Sequence, residues 1–151
     1  MSSSSEIDFS LIIVNYNVRE FLRQALLSLR KALMNVSAEI FVVDNASDDG
    51  SADMVRTEFP ECLLLANAEN LGFARANNLA LTQARGRFLV LLNPDTVVQE
   101  DTFTAARAFM AAHPTTGMMS CKILNPDGTL QLACRRSFPT PWVAFTKLAG
   151  L

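Results

Sequence analysis

Histidine, tyrosine and tryptophan each occur once among the 151 residues, and cysteine three times. Cys62, Cys121 and Cys134 are odd in number and lack the paired spacing of a zinc site, so they read as small buried hydrophobes in a reducing compartment. His113 falls in the last turn of an expected helix, where an imidazole meets the helix dipole and a metal role is not required. Glycine is scarce and never clustered, with six residues spread from Gly50 to Gly150. Neither G-x-G-x-x-G nor G-x-x-x-x-G-K occurs, which removes a Rossmann dinucleotide site and a P-loop from consideration. No apolar run approaches the ~20 residues that span a bilayer. Met1–Ser5 lacks the apolar stretch of a signal peptide. Basic excess is also missing: the formal net charge is −2, against the clustered Lys and Arg that a nucleic-acid binder needs.

What the chain has is apolar residues, half of its composition, in short runs. Such a chain can bury a sizeable core in one domain. Phe9–Val14, Ile40–Val43, Cys62–Ala66 and Phe88–Leu92 read as buried strands. Between them run stretches of helical period: Val18 to Leu33, a short one to Phe59 stopped by Pro60, and Phe73 to Ala84, for which Gly86 is the expected terminator. Asn17 with Glu20 three positions on has the spacing of a capping box. Glu100–His113 is a further helix, with acidic residues at its start. Met118–Leu124 looks like a strand, Asn125-Pro126-Asp127-Gly128 a turn and Thr129–Cys134 a hairpin partner, while Met118 and Met119 read as core. This alternation predicts an α/β fold, a mostly parallel central sheet with helices on both faces.

In such sheets ligands bind beyond the carboxyl ends of the strands. The polar clusters fall there: Asn15-Tyr16-Asn17, Asp44 to Ser51, Asn67 to Gly72, and Asn93 to Thr96. Asp95 follows an apolar strand and a proline. A carboxylate fixed at a strand end suits Mg²⁺ or Mn²⁺, hard cations that take oxygen ligands and share them with substrate phosphates. Asp44 can accept a hydrogen bond from a base imide N–H, and the Tyr16 ring offers a surface on which a base can stack. Together these describe a pyrimidine nucleoside diphosphate site.

Four segments, Ile12–Asn17, Val42–Ser51, Asn70–Ala74 and Leu91–Thr96, stand in the order and spacing of the family 2 glycosyltransferases, which the chain resembles from Phe9 to about Pro141. The resemblance implies a Rossmann-like GT-A fold, truncated here, that carries a nucleotide-sugar site built from Asn15, Tyr16, Asp44, Asn45, Gly72, Asn93 and Asp95. In it Asp44 reads the base and Gly72 serves a backbone turn. Asn93-Pro94-Asp95 stands where the family has D-x-D, so Asn93 faces the ribose and Asp95 holds the metal. An amide in the first position brings no charge to that metal. With Arg135-Arg136 and Phe138-Pro139-Thr140-Pro141 downstream, the variant looks like the rhamnosyltransferase-type subgroup, which uses dTDP-rhamnose and builds bacterial surface polysaccharide.

The expected division is a flexible tail over 1–8, a nucleotide-sugar-binding domain over 9–134 and the start of an acceptor-side region over 135–151. Inverting transfer also needs a general base to deprotonate the acceptor hydroxyl. In the resembling family that carboxylate lies downstream of D-x-D. Glu100 and Asp101 are explained by helix capping and Asp127 by its turn, so the base is expected outside this chain. The expected partners are a dTDP-, UDP- or GDP-sugar and a glycan or lipid-linked acceptor, with no nucleic acid. Trp142, Phe145 and Leu148 over 138–151 offer an apolar face for a homodimer or a membrane surface, in a cytoplasmic protein that is otherwise peripheral at the inner membrane face. Two other readings compete. A non-catalytic binding or regulatory module follows from the absent base. A sugar nucleotidyltransferase fits less well, because Asn15-Tyr16-Asn17-Val18 is not a basic Gly-rich loop.

Overall fold

The computed structural model describes residues 7–131. They fall into two compact units, one ending at Pro114 and the other starting at Thr115. In the first, the element order is β1 (Phe9–Asn15), α1 (Arg19–Ala32), β2 (Ala38–Asp44), α2 (Ser51–Glu58), β3 (Leu63–Ala66), α3 (Gly72–Leu81), β4 (Phe88–Leu92) and α4 (Thr102–Ala112). The strands form one sheet in the order β3-β2-β1-β4, and all its pairs are parallel. The expected α/β architecture is present.

Why these runs became strands is visible in their burial. β1 and β2 are central and covered on both faces, so almost every residue is apolar rather than every second one. One face carries Leu11, Ile13, Ile40 and Val42 against Leu22, Leu26 and Leu29 of α1, Met54 and Val55 of α2, and Phe103 of α4. The other carries Ile12, Phe41 and Val43 against Ala76 and Ala80 of α3. The small alanines let α3 lie close to the sheet. β4 is the outer strand, and its side chains alternate between half-buried and exposed. Leu89 and Leu91, on the α3 face, are 56% and 53% exposed because α3 covers β1 and β2 instead.

Sequence order reverses direction across the sheet after β3, and the chain returns to pair β4 with β1. The switch point therefore lies between β1 and β4, where a doubly wound sheet opens a crevice at its carboxyl edge.

The amino edge is locked by a different set of groups. Glu39 accepts the Ser10 hydroxyl at 2.6 Å, the Arg85 backbone N–H at 2.7 Å and the Arg85 Nη2 at 3.0 Å. Burial pushes the Glu39 carboxyl up, but the bonds from Ser10 and Arg85 outweigh it and hold it below the usual range. The Gly86 N–H completes the chain by donating to Ser10 Oγ at 2.7 Å. Gly86 is not the terminator of α3, which ends at Leu81; it is the point where the loop crosses β1 with no room for a side chain.

Other local expectations change as well. Asn17 does not cap α1, whose N-cap is Val18 with no side-chain cap. The first N–H of that helix, on Arg19, is taken by Asp49, thirty residues away on the next loop, at 2.8 Å. The same carboxylate accepts the Ser51 N–H at the start of α2. Burial raises the Asp49 carboxyl, but the Ser51 hydroxyl, followed by these two N–H donors, more than reverses that and lowers it overall. α4 begins at Thr102, so Glu100 and Asp101 precede it, and the Asp101 side chain makes no cap bond. His113 does cap its end and stacks on Phe109, with Nδ1 2.9 Å from the Phe109 carbonyl oxygen.

In the second unit the expected strand over Met118–Leu124 reduces to a single antiparallel bridge between Leu124 and Leu130. Among the described residues no partner strand covers its apolar side chains. Met118 is 89% exposed, and Met119 and Cys121 are exposed rather than buried. The turn at Asn125–Gly128 forms as expected, with Asp127 accepting both the N–H and the hydroxyl of Thr129. Cys134, Arg135, Arg136, Trp142, Phe145 and Leu148 lie outside the described residues.

Candidate nucleotide-sugar site

Register places the polar strand ends side by side. Asn15 is the direct partner of Asp44, and Asp44 of Ala66. Leu92 is paired with Ile13, so Asn93 follows one residue past that level on the adjoining strand. From Asp44 on β2 to Asn93 after β4 is two strand spacings, about 10 Å. The sequence-predicted residues thus share the carboxyl edge.

Their wiring divides them into two kinds. Asn15 and Asp44 are buried, at 0% and 3% exposure. Asn15 Nδ2 donates to Asp44 Oδ1 at 2.9 Å and to Ser47 Oγ at 3.1 Å. The Ser47 backbone N–H donates to the other Asp44 oxygen at 3.0 Å. The Asn15 carbonyl oxygen Oδ1 is buried with no donor. Asp44 has no cationic partner among the described residues, so its charge is held by hydrogen bonds alone.

Asn45, also buried, donates from Nδ2 to Asn70 Oδ1 at 2.6 Å, and its own Oδ1 accepts Asn67 Nδ2 at 3.1 Å and the Leu71 N–H at 3.0 Å. Asn70 Oδ1 also accepts the Gly72 N–H at 2.9 Å. Asn45 is therefore the hub that shapes the turn before α3. Gly72 opens that helix at φ +75°, a conformation that favours glycine.

Tyr16, Asn93 and Asp95 are exposed, as is Gly72. Tyr16 is 51% exposed and sits between two pinned neighbours. Asn17 on its far side has φ +53°, held by its N–H to Ser47 Oγ at 3.0 Å and by Asp48 N–H to Asn17 Oδ1 at 2.9 Å. Asn93 and Asp95 form a turn closed by the Thr96 N–H on the Asn93 carbonyl at 3.2 Å. The segment beyond is tied to α1 by Val98 N–H to Ser28 Oγ at 3.0 Å. Neither the Asn93 amide nor the Asp95 carboxylate bonds to a described side chain.

No three potential metal ligands cluster among the described residues. The donor set is one unengaged carboxylate, Asp95, beside one amide. That fits Mg²⁺ or Mn²⁺ of the kind that takes one or two protein oxygens and completes its shell from water and substrate phosphates, and it does not fit a cage built from protein alone.

Sequence reasoning missed Ser47 and Asn77. Ser47 was visible only as one of several polar residues in a loop, and its role depends on the β1–β2 register. Asn77 lies buried in α3 and donates to the Phe73 carbonyl at 2.8 Å, whereas its neighbour Asn78 is exposed. No helix among the described residues is long and apolar enough to cross a membrane.

The chain is a doubly wound α/β domain whose carboxyl edge gathers carboxylates and amides on both sides of the switch point. Residues 10–141 match the model of Glycosyl transferase family 2, and the chain belongs to that family. Its fold is that of GT-A glycosyltransferases. A mannosyltransferase from Pyrobaculum calidifontis, solved in complex with GDP-Man and Mn²⁺, superposes with TM-score 0.70 at 28% identity over 82% of this chain and 37% of that one. The Staphylococcus aureus TarS 1–349 structure with UDP gives 0.65 at 27% identity, over 72% and 33%. Among curated sequences, the uncharacterized glycosyltransferase YfnE of Bacillus subtilis is 36% identical over 61% of this chain and 24% of its own length. The poly(ribitol-phosphate) beta-N-acetylglucosaminyltransferase TarS of S. aureus is 26% identical over 87% of this chain and 24% of its own. The chain thus spans about a quarter of the length of these two relatives.

Proposed function

We propose that this chain binds the donor of an inverting glycosyltransferase, a nucleoside-diphosphate sugar, along the carboxyl edge of its sheet. The observation that carries the reading is the register: four strand ends bring Asn15 and Tyr16, Asp44, the Asn45-supported turn at Gly72, and Asn93 with Asp95 onto one edge across the switch point. Asp44 accepts the base N–H through a carboxylate whose orientation is fixed by Asn15 and Ser47. Tyr16 supplies the stacking face, and Asn93 meets the ribose. Asp95 holds Mg²⁺ or Mn²⁺, which when bound neutralises charge on the leaving diphosphate. Asn15, Asn45 and Gly72 act mainly by holding these groups in place.

Of the carboxylates downstream of Asp95, Glu100 and Asp101 immediately precede α4 and are not assigned as the base. Asp127 is spent on Thr129, and its carboxyl is lowered first by the Thr129 hydroxyl. Proton acceptance is therefore assigned to a carboxylate outside the described residues, and the chain as it stands binds donor without efficient transfer. The finer reading is a rhamnosyltransferase-like enzyme using dTDP-rhamnose with a glycan or lipid-linked acceptor in surface polysaccharide synthesis. Its support is the Asn-Pro-Asp variant. The UDP, UDP-GlcNAc and GDP-Man bound in the related structures support the ligand class.

Calorimetric titration of UDP, dTDP and GDP tests this. Binding is expected to tighten with Mn²⁺ and to lose that gain in Asp95→Ala. Binding that ignores both metal and Asp95 would favour a non-catalytic module instead.

A further inference from the structure

Ser47 occupies a place in the cluster that its use so far does not exhaust. Its Oγ accepts from Asn15 Nδ2 at 3.1 Å and from the Asn17 N–H at 3.0 Å, so both lone pairs of the hydroxyl are engaged. A hydroxyl also carries one hydrogen, and among the described residues no acceptor takes it. The residue is half-buried, with part of its surface open. Its backbone N–H grips Asp44 Oδ2, which holds the two side chains close together.

The cluster is also short of a donor. Asp44 offers a carboxylate with up to four acceptor positions, of which Asn15 Nδ2 and the Ser47 N–H fill two. Asn15 Oδ1 is buried with none. A group that docks here is therefore asked for an N–H against Asp44 and a carbonyl against the Ser47 hydroxyl, side by side.

We propose that Ser47 is the donor half of a base-reading pair whose acceptor half is Asp44, so that the site selects nucleotides with a lactam edge. Uracil, thymine and guanine each present a ring N–H next to a carbonyl. Cytosine and adenine present a bare ring nitrogen next to an amino group, which puts an acceptor against the carboxylate and a donor against the hydroxyl. This rests on the donor-site reading above and adds the residue that sets the base class. Rejection of the wrong edge is the stronger half of the effect, because a mismatched base sets its own acceptor against the acceptor positions of Asp44 that remain open and desolvates them.

The test is calorimetric titration of the chain with UDP, GDP, CDP and ADP in Mn²⁺. The wild-type protein is expected to bind UDP and GDP at least about tenfold more tightly than CDP and ADP. Ser47→Ala should weaken UDP and GDP by about three- to tenfold, the range of one hydrogen bond, and leave CDP and ADP unchanged. Ser47→Thr, which keeps the hydroxyl, should restore the ratio. A residue that only braces the loops would weaken all four nucleotides together, and that result overturns the proposal, as does wild-type binding that does not discriminate between bases. Failure of all four to bind overturns the donor-site reading and this proposal with it.

Discussion

Replacing Gly86 by alanine isolates the steric lock at the amino edge. A Cβ built there meets the Ser10 backbone N at 2.4 Å, the Phe9 carbonyl carbon at 2.5 Å and Ser10 Oγ at 2.7 Å. Two of the three are main-chain atoms of β1, the central strand bonded on both sides, and neither can swing away as a side chain does. Relief requires the Arg85–Arg87 loop to lift, which breaks the Gly86 N–H bond to Ser10 Oγ and disturbs the Glu39 linkage to Arg85. Overpacking of this kind costs about 1–3 kcal/mol. Each lost hydrogen bond adds about 0.5–1.5 kcal/mol. The total of about 2–5 kcal/mol is a large share of the roughly 5–15 kcal/mol that stabilises a domain. Urea unfolding followed by circular dichroism should show a lower midpoint at similar m-value, because the surface exposed on unfolding is unchanged. Gly117→Ala, whose Cβ meets nothing within 4 Å, is the control and should stay within about 0.5 kcal/mol of the parent. A Gly86→Ala protein as stable as that control would refute the close-approach reasoning.

At the other edge, Asn45→Ala removes three part-buried hydrogen bonds that shape the turn into α3. It should cost about 2–4 kcal/mol in the same unfolding assay, more than Asn78→Ala on the exposed face of α3. For Glu39 the folded carboxyl lies below its ordinary value of 4.5, so its stabilising effect is full above that value and is lost as pH falls through the depressed folded value. Stability measured between neutral pH and about pH 3 should therefore decline less steeply in Glu39→Gln than in the parent, from a lower starting point.

Most of the fold was legible because a parallel sheet buried on both faces writes itself as uninterrupted apolar runs. β1 and β2 have that form, and the helices between them carry the 3.6-residue period. What failed shares one cause: the deciding partner lies far away in sequence. Asn17 and Glu20 have the local spacing of a capping box, but Asp49 took the helix N–H because β1 and β2 pair in the register that sets their loops face to face. Gly86 looks like a helix terminator until the chain is seen crossing Ser10. Met118 and Met119 look like core because apolar residues in a row imply a cover, and a lone β-bridge supplies none. At the candidate site, position was readable and wiring was not. Asn15, Asp44 and Asn45 stand at strand ends in the sequence, but which of them meets solvent and which is consumed inside depends on side-chain contacts across loops.

That wiring gives the carboxyl edge a character different from the amino edge. Glu39 is half-buried, and it has Arg85 and Ser10, so its charge is compensated and the edge is finished. Asp44 is buried more deeply, has only neutral donors among the described residues, and is bonded to Asn15, whose own carbonyl oxygen is left without a donor. A buried anion without a cation costs stability, and an unmade buried hydrogen bond costs more. Two loop residues beside it, Asn17 and Ala46, also hold positive φ values of 53° and 65° without being glycine. These costs fall in one place, on the carboxyl edge at the ends of β1 and β2, and under the donor-site proposal a ligand that brings an N–H to Asp44 would remove part of them. Strain and unmet hydrogen bonding gathered at these two strand ends mark a part of the fold that its own core leaves incomplete, and that is the part the donor-site proposal fills.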